Sequence, residues 1–294
     1  DVDGDGVGDI ILSGDVNNNG SRDALESSGL AINSGALTVR NLDFRGFSGN
    51  INGGVLRANG GALTVEDSNF QNNSGTVINS TTAVGTAITL RNSTLHDNSS
   101  TIVGATAMSS LVRLAGNGSY VLENVAIYNN SGTHAGGGTV ASGGILILNS
   151  ATVQIVNSTI ANNVFTYTGA GGISSAGLGW TGTATGLITV QNTIISGNTV
   201  NSVDANLQAG TAYTNTTNLI GTTVNFVDAA NGDLRLAASA SNAINQGTST
   251  GAPTTDLRGF ERPRGGAVDI GAYEVLYDSA PLVDLDSTTG VQNT

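Results

Sequence analysis

Cysteine and lysine are both absent from this sequence of 294 residues, and proline, methionine and tryptophan are scarce, at three, one and one copies. Without cysteine there is neither a disulfide framework nor a cysteine-based zinc site, so stability has to come from a buried core. Aromatic residues make up only 4%, which directs that core towards Val, Ile, Leu and Ala in a narrow interior. All ten basic residues are arginine, and a formal net charge of −12 leaves no basic face for the phosphates of nucleic acid. The lysine that a phosphate-binding loop needs is also missing. No run approaches the roughly 18 apolar residues of a membrane span. No basic-then-apolar leader precedes Asp1, so the chain reads as soluble, with any export signal removed or lying outside it.

Glycine, at 42 copies, is abundant, and so is an internal repeat. Six segments align: LTVRNLDF from Leu37, LTVEDSNFQNN from Leu63, ITLRNSTLHDN from Ile88, YVLENVAIYNN from Tyr120, VQIVNSTIANN from Val153 and ITVQNTIISGN from Ile188. The first half of each alternates apolar and polar, which puts pairs such as Leu63 and Val65 on one buried face of a strand. A polar residue closes each strand, at Asn41, Asp67, Asn92, Asn124, Asn157 and Asn192, with spacings of 26, 25, 32, 33 and 35 residues. Asn and Asp tolerate the left-handed backbone of a sharp turn. Stacked about 4.8 Å apart, their side chains form a hydrogen-bonded ladder. Asn73, Asn98, Asn130, Asn163 and Asn198 offer a second ladder. Gly-rich strand starts at Gly53, Gly75, Gly143 and Gly171 suit tight corners. No helix of useful length fits between the ladders. The expectation is an all-β, right-handed parallel β-helix with two or three short strands per coil. Loops at Ser99 to Gly118, Thr133 to Gly143 and Val164 to Gly186 are expected to protrude from the stack.

The first 26 residues have the spacing of calcium loops. In DVNNNGSRDALE, Asp15, Asn17 and Asn19 alternate, Gly20 is sixth, Asp23 ninth and Glu26 twelfth, as in an EF-hand-like loop, with Ser21 offering its carbonyl. The preceding DVDGDGVGD repeats the first half through Asp1, Asp3, Asp5, Val7 and Asp9, but its twelfth position is Leu12, so that site is the weaker one. Seven acids and one arginine are crowded into this segment, an arrangement that favours a bound cation.

Other motifs carry less. GTSTG at Gly247 to Gly251 fits a nucleophile-elbow pattern, but both histidines, His96 and His134, precede it, so it reads as a chance match. GLGWTG at Gly177 to Gly182 fits a dinucleotide pattern with no helix after it and reads as a loop. Asp43, Glu66, Asp67, Asp97 and Glu123 flank the ladder, and a glycosidase or lyase needs two or three acids converging on one face. No acid pair recurs at matched positions. Arg40, Glu66 and Arg91 instead predict a stacked surface row that offsets its own charges. Phe165, Tyr167 and Trp180 in the longest insertion are expected to pack, with sugar stacking as the alternative. The mixed-charge group Asp256, Arg258, Glu261, Arg262, Arg264, Asp269 and Glu274 predicts a C-terminal cap over exposed strand edges.

GGVL from Gly53 and FQNN from Phe70 resemble the repeats of polymorphic outer membrane proteins. A closer resemblance is to large bacterial surface proteins with a choice-of-anchor Q type β-helix. NLIG from Asn218, SNAINQG from Ser241, TDLRGFERP from Thr255 and VDIGAYE from Val268 carry it at the C-terminal end, and the Asp-rich start carries it at the other. APLVDLDSTTG from Ala280 is similar to the start of the cadherin-like repeats that follow such domains. The resemblance implies a piece of a longer bacterial surface protein. Its parts are calcium-binding-like loops at 1–26, the β-helix with its cap at 27–277, and a linker or following module at 278–294. The function expected is a non-enzymatic structural or adhesive module, extracellular or on the cell surface and stabilised by Ca2+. A surface glycan or protein is its expected ligand, and self-association through the solenoid ends is a further expectation. The alternatives are a carbohydrate-active β-helix enzyme and a filament subunit.

Overall fold

A computed structural model describes residues 10–13, 29–49, 54–81, 85–103, 110–135, 139–140, 143–148, 151–168, 172–173, 175–181, 188–208 and 213–276. Across these the chain winds into stacked coils of parallel strands. One coil shows the plan: Leu56–Ala58 lies in one sheet, Ala62–Glu66 and Asn69–Gln71 in another, and Ser74–Gly75 in a third, before Ile78–Ser80 opens the next coil. Among the described residues these sheets hold thirteen, six and seven strands. They are called here the first (two strands per coil), the second (starting from Leu30–Ile32) and the third sheet. That coil holds four short strands, where two or three were expected. In the next two coils the first-sheet pair is one ten-residue strand, Ala87–His96 or Ser119–Tyr128, and three strands result, as expected. In the four-strand coil three of the strands are two or three residues long, too short for an alternating pattern to mark them.

Both asparagine positions do what their chemistry suggests. Asn41, Asp67, Asn92, Asn124, Asn157 and Asn192 all have φ between 43° and 53° and bend the first sheet between its two strands. A second left-handed corner follows at Gly46, Asn72, Asp97, Asn129, Asn162 and Gly197, and the residue after it turns inward. That places Asn73, Asn98, Asn130 and Asn163 in a buried ladder, each donating its side-chain amide to the next rung at 2.8 to 3.0 Å. Asn198 continues it to Asn206 at 2.9 Å, a last rung only eight residues on, delivered by the antiparallel turn of Thr199–Val200 with Val203–Asp204.

The core lies between the sheets and repeats in register. Leu37, Leu63, Ile88, Tyr120, Val153 and Ile188 are consecutive partners along the first sheet, as are Val39, Val65, Leu90, Leu122, Ile155 and Val190. Phe44 and Phe70 stack at 4.7 Å inside it. The described parts of the expected protrusions contribute strands to the stack. Ser99–Val103, Ser131–Ala135 and Val164–Tyr167 pair in the third sheet. Leu178–Thr181, which holds most of the dinucleotide-like GLGWTG, is a strand of the second sheet and not a loop. The physical reason is burial of its side chains. Phe165 and Trp180 face inward, at 3% and 9% exposure, and join the core. Gly177 leads into that strand because a Cβ there would lie 2.2 Å from the Asn206 carbonyl.

The C-terminal charged segment is placed differently from the expected cover over the open strand edges. It folds back along the flank of the first sheet. The outward positions of the early coils are polar: Asp43, Asn69 and Thr94 in one row, Arg45, Gln71 and His96 in the next. In later coils the same rows continue as Ala126, Thr159 and Ile194, and as Tyr128, Ala161 and Ser196. Outward apolar side chains need a cover. Val224, Leu236, Ala240, Ala243 and Ile270 gather on Ile194, and Leu234 packs with Ala126, Tyr128 and Ala161. Gly271, at φ 108°, meets Ile194 and Thr159 so closely that a Cβ would lie 2.7 Å from the Ile194 side chain.

Candidate functional site

The residues proposed to bind calcium, Asp1, Asp3, Asp5, Val7, Asp9, Asp15, Asn17, Asn19, Ser21, Asp23 and Glu26, lie outside the described residues. Among the described residues no three His, Asp or Glu side chains are grouped so as to hold a metal ion.

The carboxylates flanking the ladder are each engaged locally. Arg40, Glu66, Arg91 and Glu123 are consecutive partners in register, so charge alternates in sign from coil to coil. Arg40 donates to Glu66 through Nε at 3.0 Å, and Arg91 lies 3.8 Å from Glu66 and 3.3 Å from Glu123. The expected Arg, Glu, Arg row is thus present and one rung longer. With the arginines about half exposed, solvent screens each pair and its contribution to stability is small. Asp43 is buried and accepts from Arg45, Asn69 and Gln71. Asp67 accepts from Asn92, and Asp97 pairs with His96 at 2.7 Å. These acids do not converge: Glu66 and Glu123 are separated by the whole coil that carries Arg91.

A denser polar site lies where the C-terminal segment meets the flank. Arg262 and Glu274 form a fully buried ion pair at 3.1 Å. Arg262 also donates to the carbonyls of Asp269 and Gly271, and Glu274 accepts from the backbone of Arg264 and Asp269. Asp256 binds Arg258 and accepts from the backbone amides of Phe260 and Glu274. Arg258 lies over the Phe260 and Tyr273 rings. Asp269, almost fully buried, accepts from the amides of Asn245 and Val275 at 2.6 Å each, while burial pushes its carboxyl up to about 6. The same segment interrupts the outer ladder. The Asn157 amide donates to the Asp269 carbonyl at 3.2 Å in place of the neighbouring rung Asn124, while the Asn124 amide donates both to Asn92 at 3.1 Å and to the Thr255 carbonyl at 2.7 Å. Farther along, Thr248 donates its amide to Asn192, so GTSTG is a turn against the ladder.

Two hollows open at this junction, one of about 200 Å³ with Arg235, Arg258 and Glu274 in its wall, the other of about 640 Å³ beside Ser241, Asn245 and Gln246. Their charged groups are already committed to internal pairs. A family model described as a right-handed β-helix region matches residues 28–245. The chain belongs to that family. No curated protein and no solved structure matches it. The match covers the stacked coils apart from the strand Ile10–Ser13 and supplies the hand of their winding. It stops at the first part of the flanking segment, so the most highly charged part of this β-helix lies beyond it.

One outward row escaped sequence reasoning: Arg57, Asn79 and Arg113, stacked on the second sheet. The signal was there, in LRA and VRL at matching strand positions, but these strands are three residues long and show no repeat on their own.

Proposed function

We propose that this β-helix is a non-enzymatic structural or adhesive module of a secreted or bacterial cell-surface protein, stabilised by calcium at its Asp-rich start. The observation that carries this reading is the Arg40, Glu66, Arg91, Glu123 row. A general acid or base needs a carboxylate free to exchange its proton with a substrate. Here Glu66 and Glu123 alternate with arginines that pair with them. The asparagine ladders and the flank segment put polar chemistry to work in holding coils together, as suits a rigid spacer that carries a ligand surface. The resemblance of the C-terminal motifs to choice-of-anchor Q type surface proteins, and of GGVL and FQNN to polymorphic outer membrane repeats, supports the surface location. The calcium part rests on the spacing of Asp15, Asn17, Asn19, Ser21, Asp23 and Glu26.

Two measurements test this. Calorimetric titration of metal-free protein with calcium is expected to show at least one site, lost in Asp15→Ala and in Glu26→Ala. The absence of both heat and a change in melting temperature refutes the calcium part. A screen for sugar release from neutral and acidic polysaccharides is expected to show none. Turnover abolished by Glu66→Gln would instead establish the carbohydrate-active alternative.

A further inference from the structure

Arginine is the only permanently charged cation among the side chains of this protein, and six of the nine described guanidiniums are neutralised by a carboxylate. Arg40, Arg45, Arg91, Arg235, Arg258 and Arg262 each pair with a carboxylate, and Arg264 lies over the Phe260 ring. Arg57 and Arg113 differ. They occupy the same outward row of the second sheet with Asn79 between them in register, so their backbones are two coils, or about 10 Å, apart. Among the described residues neither forms an ion pair. Arg113 donates to the Asn79 side chain at 3.2 Å and the Ser80 carbonyl at 2.9 Å, which fixes one edge of its fork. The Nε of Arg57 is buried with no acceptor among the described residues. Two like charges are thus held two coils apart in one row on a partly buried face of an acidic protein, each with donors left over. Burial and the proximity of Arg57 both work against the charge on Arg113. Such an arrangement is unfavourable on its own and becomes favourable when an oxyanion bridges the two forks.

We propose that Arg57, Asn79 and Arg113 form a binding site for a compact oxyanion, a carboxylate or sulfate group, on the outer face of the second sheet. The anion accepts from both guanidiniums, and Asn79, which accepts from Arg113, lies between them in the row. None of its residues belongs to the proposed calcium loops or to the flank segment.

Thermal unfolding of the whole chain is compared in sodium sulfate, sodium acetate and sodium chloride at matched ionic strength. A rise in melting temperature over chloride is expected in at least one oxyanion, abolished by Arg57→Gln and by Arg113→Gln but kept by Arg91→Gln on the first sheet. A rise in sulfate alone assigns the site to sulfate groups, and a rise in acetate assigns it to carboxylates. General salting-out by sulfate raises all variants equally. That result, or no rise over chloride, overturns the proposal. Should a glutamine variant fail to fold, Arg57→Lys and Arg113→Lys keep the charge and remove the fork. The oxyanion that gave the rise, titrated calorimetrically, is then expected to bind about tenfold more weakly than to the wild type, and unchanged binding refutes the site.

Discussion

Each rung of the inner ladder uses both halves of its amide. Asn130 donates to the Leu95 carbonyl and to Asn163, and its own oxygen accepts from the backbone and side chain of Asn98. Asn130→Asp keeps the shape but removes two donated bonds and, when ionised, buries a charge opposite two acceptors. We expect a loss of about 3 to 5 kcal/mol at pH 7. Burial and those acceptors raise the pKa of such an Asp in the folded state, so stability is greatest at low pH and is lost as pH rises through that value. Chemical denaturation at pH 5 and pH 7 checks this, and equal losses at both would show that the site is hydrated. The ladders were legible because asparagine recurs at fixed positions after each strand, and side-chain chemistry and backbone conformation give the same answer there. Asn206 was not, since a tight antiparallel turn brings it into line only eight residues after Asn198.

At the scale of elements, the flank segment is bound by buried charge whose balance depends on pH. The Asp269 carboxyl is raised to about 6 from an ordinary value of 3.8. Because the folded-state value is the higher one, its contribution to stability is full below about 4 and disappears as pH rises through about 6. The difference is up to about 3 kcal/mol. Unfolding midpoints measured between pH 7 and pH 5 are expected to rise as pH falls, with the slope reduced in Asp269→Asn, and the same slope in that variant would assign the effect to another group. That this segment is charged and Gly-rich was plain from the sequence, but its location was not. It has no repeat to align, and its contacts with Asn124 and Asn157 span 131 and 112 residues. The one local clue lay elsewhere, in the change from Asn69, Gln71, Thr94 and His96 to Ala126, Tyr128, Ala161 and Ile194 at outward positions of successive coils. A half-buried strand should not be apolar on both faces unless something covers the second.

For the whole molecule, that cover predicts what truncation does. A chain ending at Gly221 keeps the last strand of the first sheet, Leu219–Ile220, but uncovers Ala126, Tyr128, Ala161 and Ile194 as one outward patch. It is expected to retain a β-rich circular dichroism spectrum while binding a hydrophobic dye and associating in a concentration-dependent way, as large exposed apolar patches do. A monomeric, dye-silent product would show that the flank segment is dispensable.

The same segment bears on how the protein would behave under tension. A stack of coils pulled along its axis yields one coil at a time, because only the hydrogen bonds to the next coil resist. Here the chain leaves the last coil and runs back across three earlier ones, anchored at Asn192, Thr159 and Asn124. A load applied beyond residue 276 therefore reaches the stack through bonds arranged in shear along its side, and these must part before the end coil begins to unwind. A tether emerging from this end would behave as a clasp, yielding a short length of slack and leaving the coils wound.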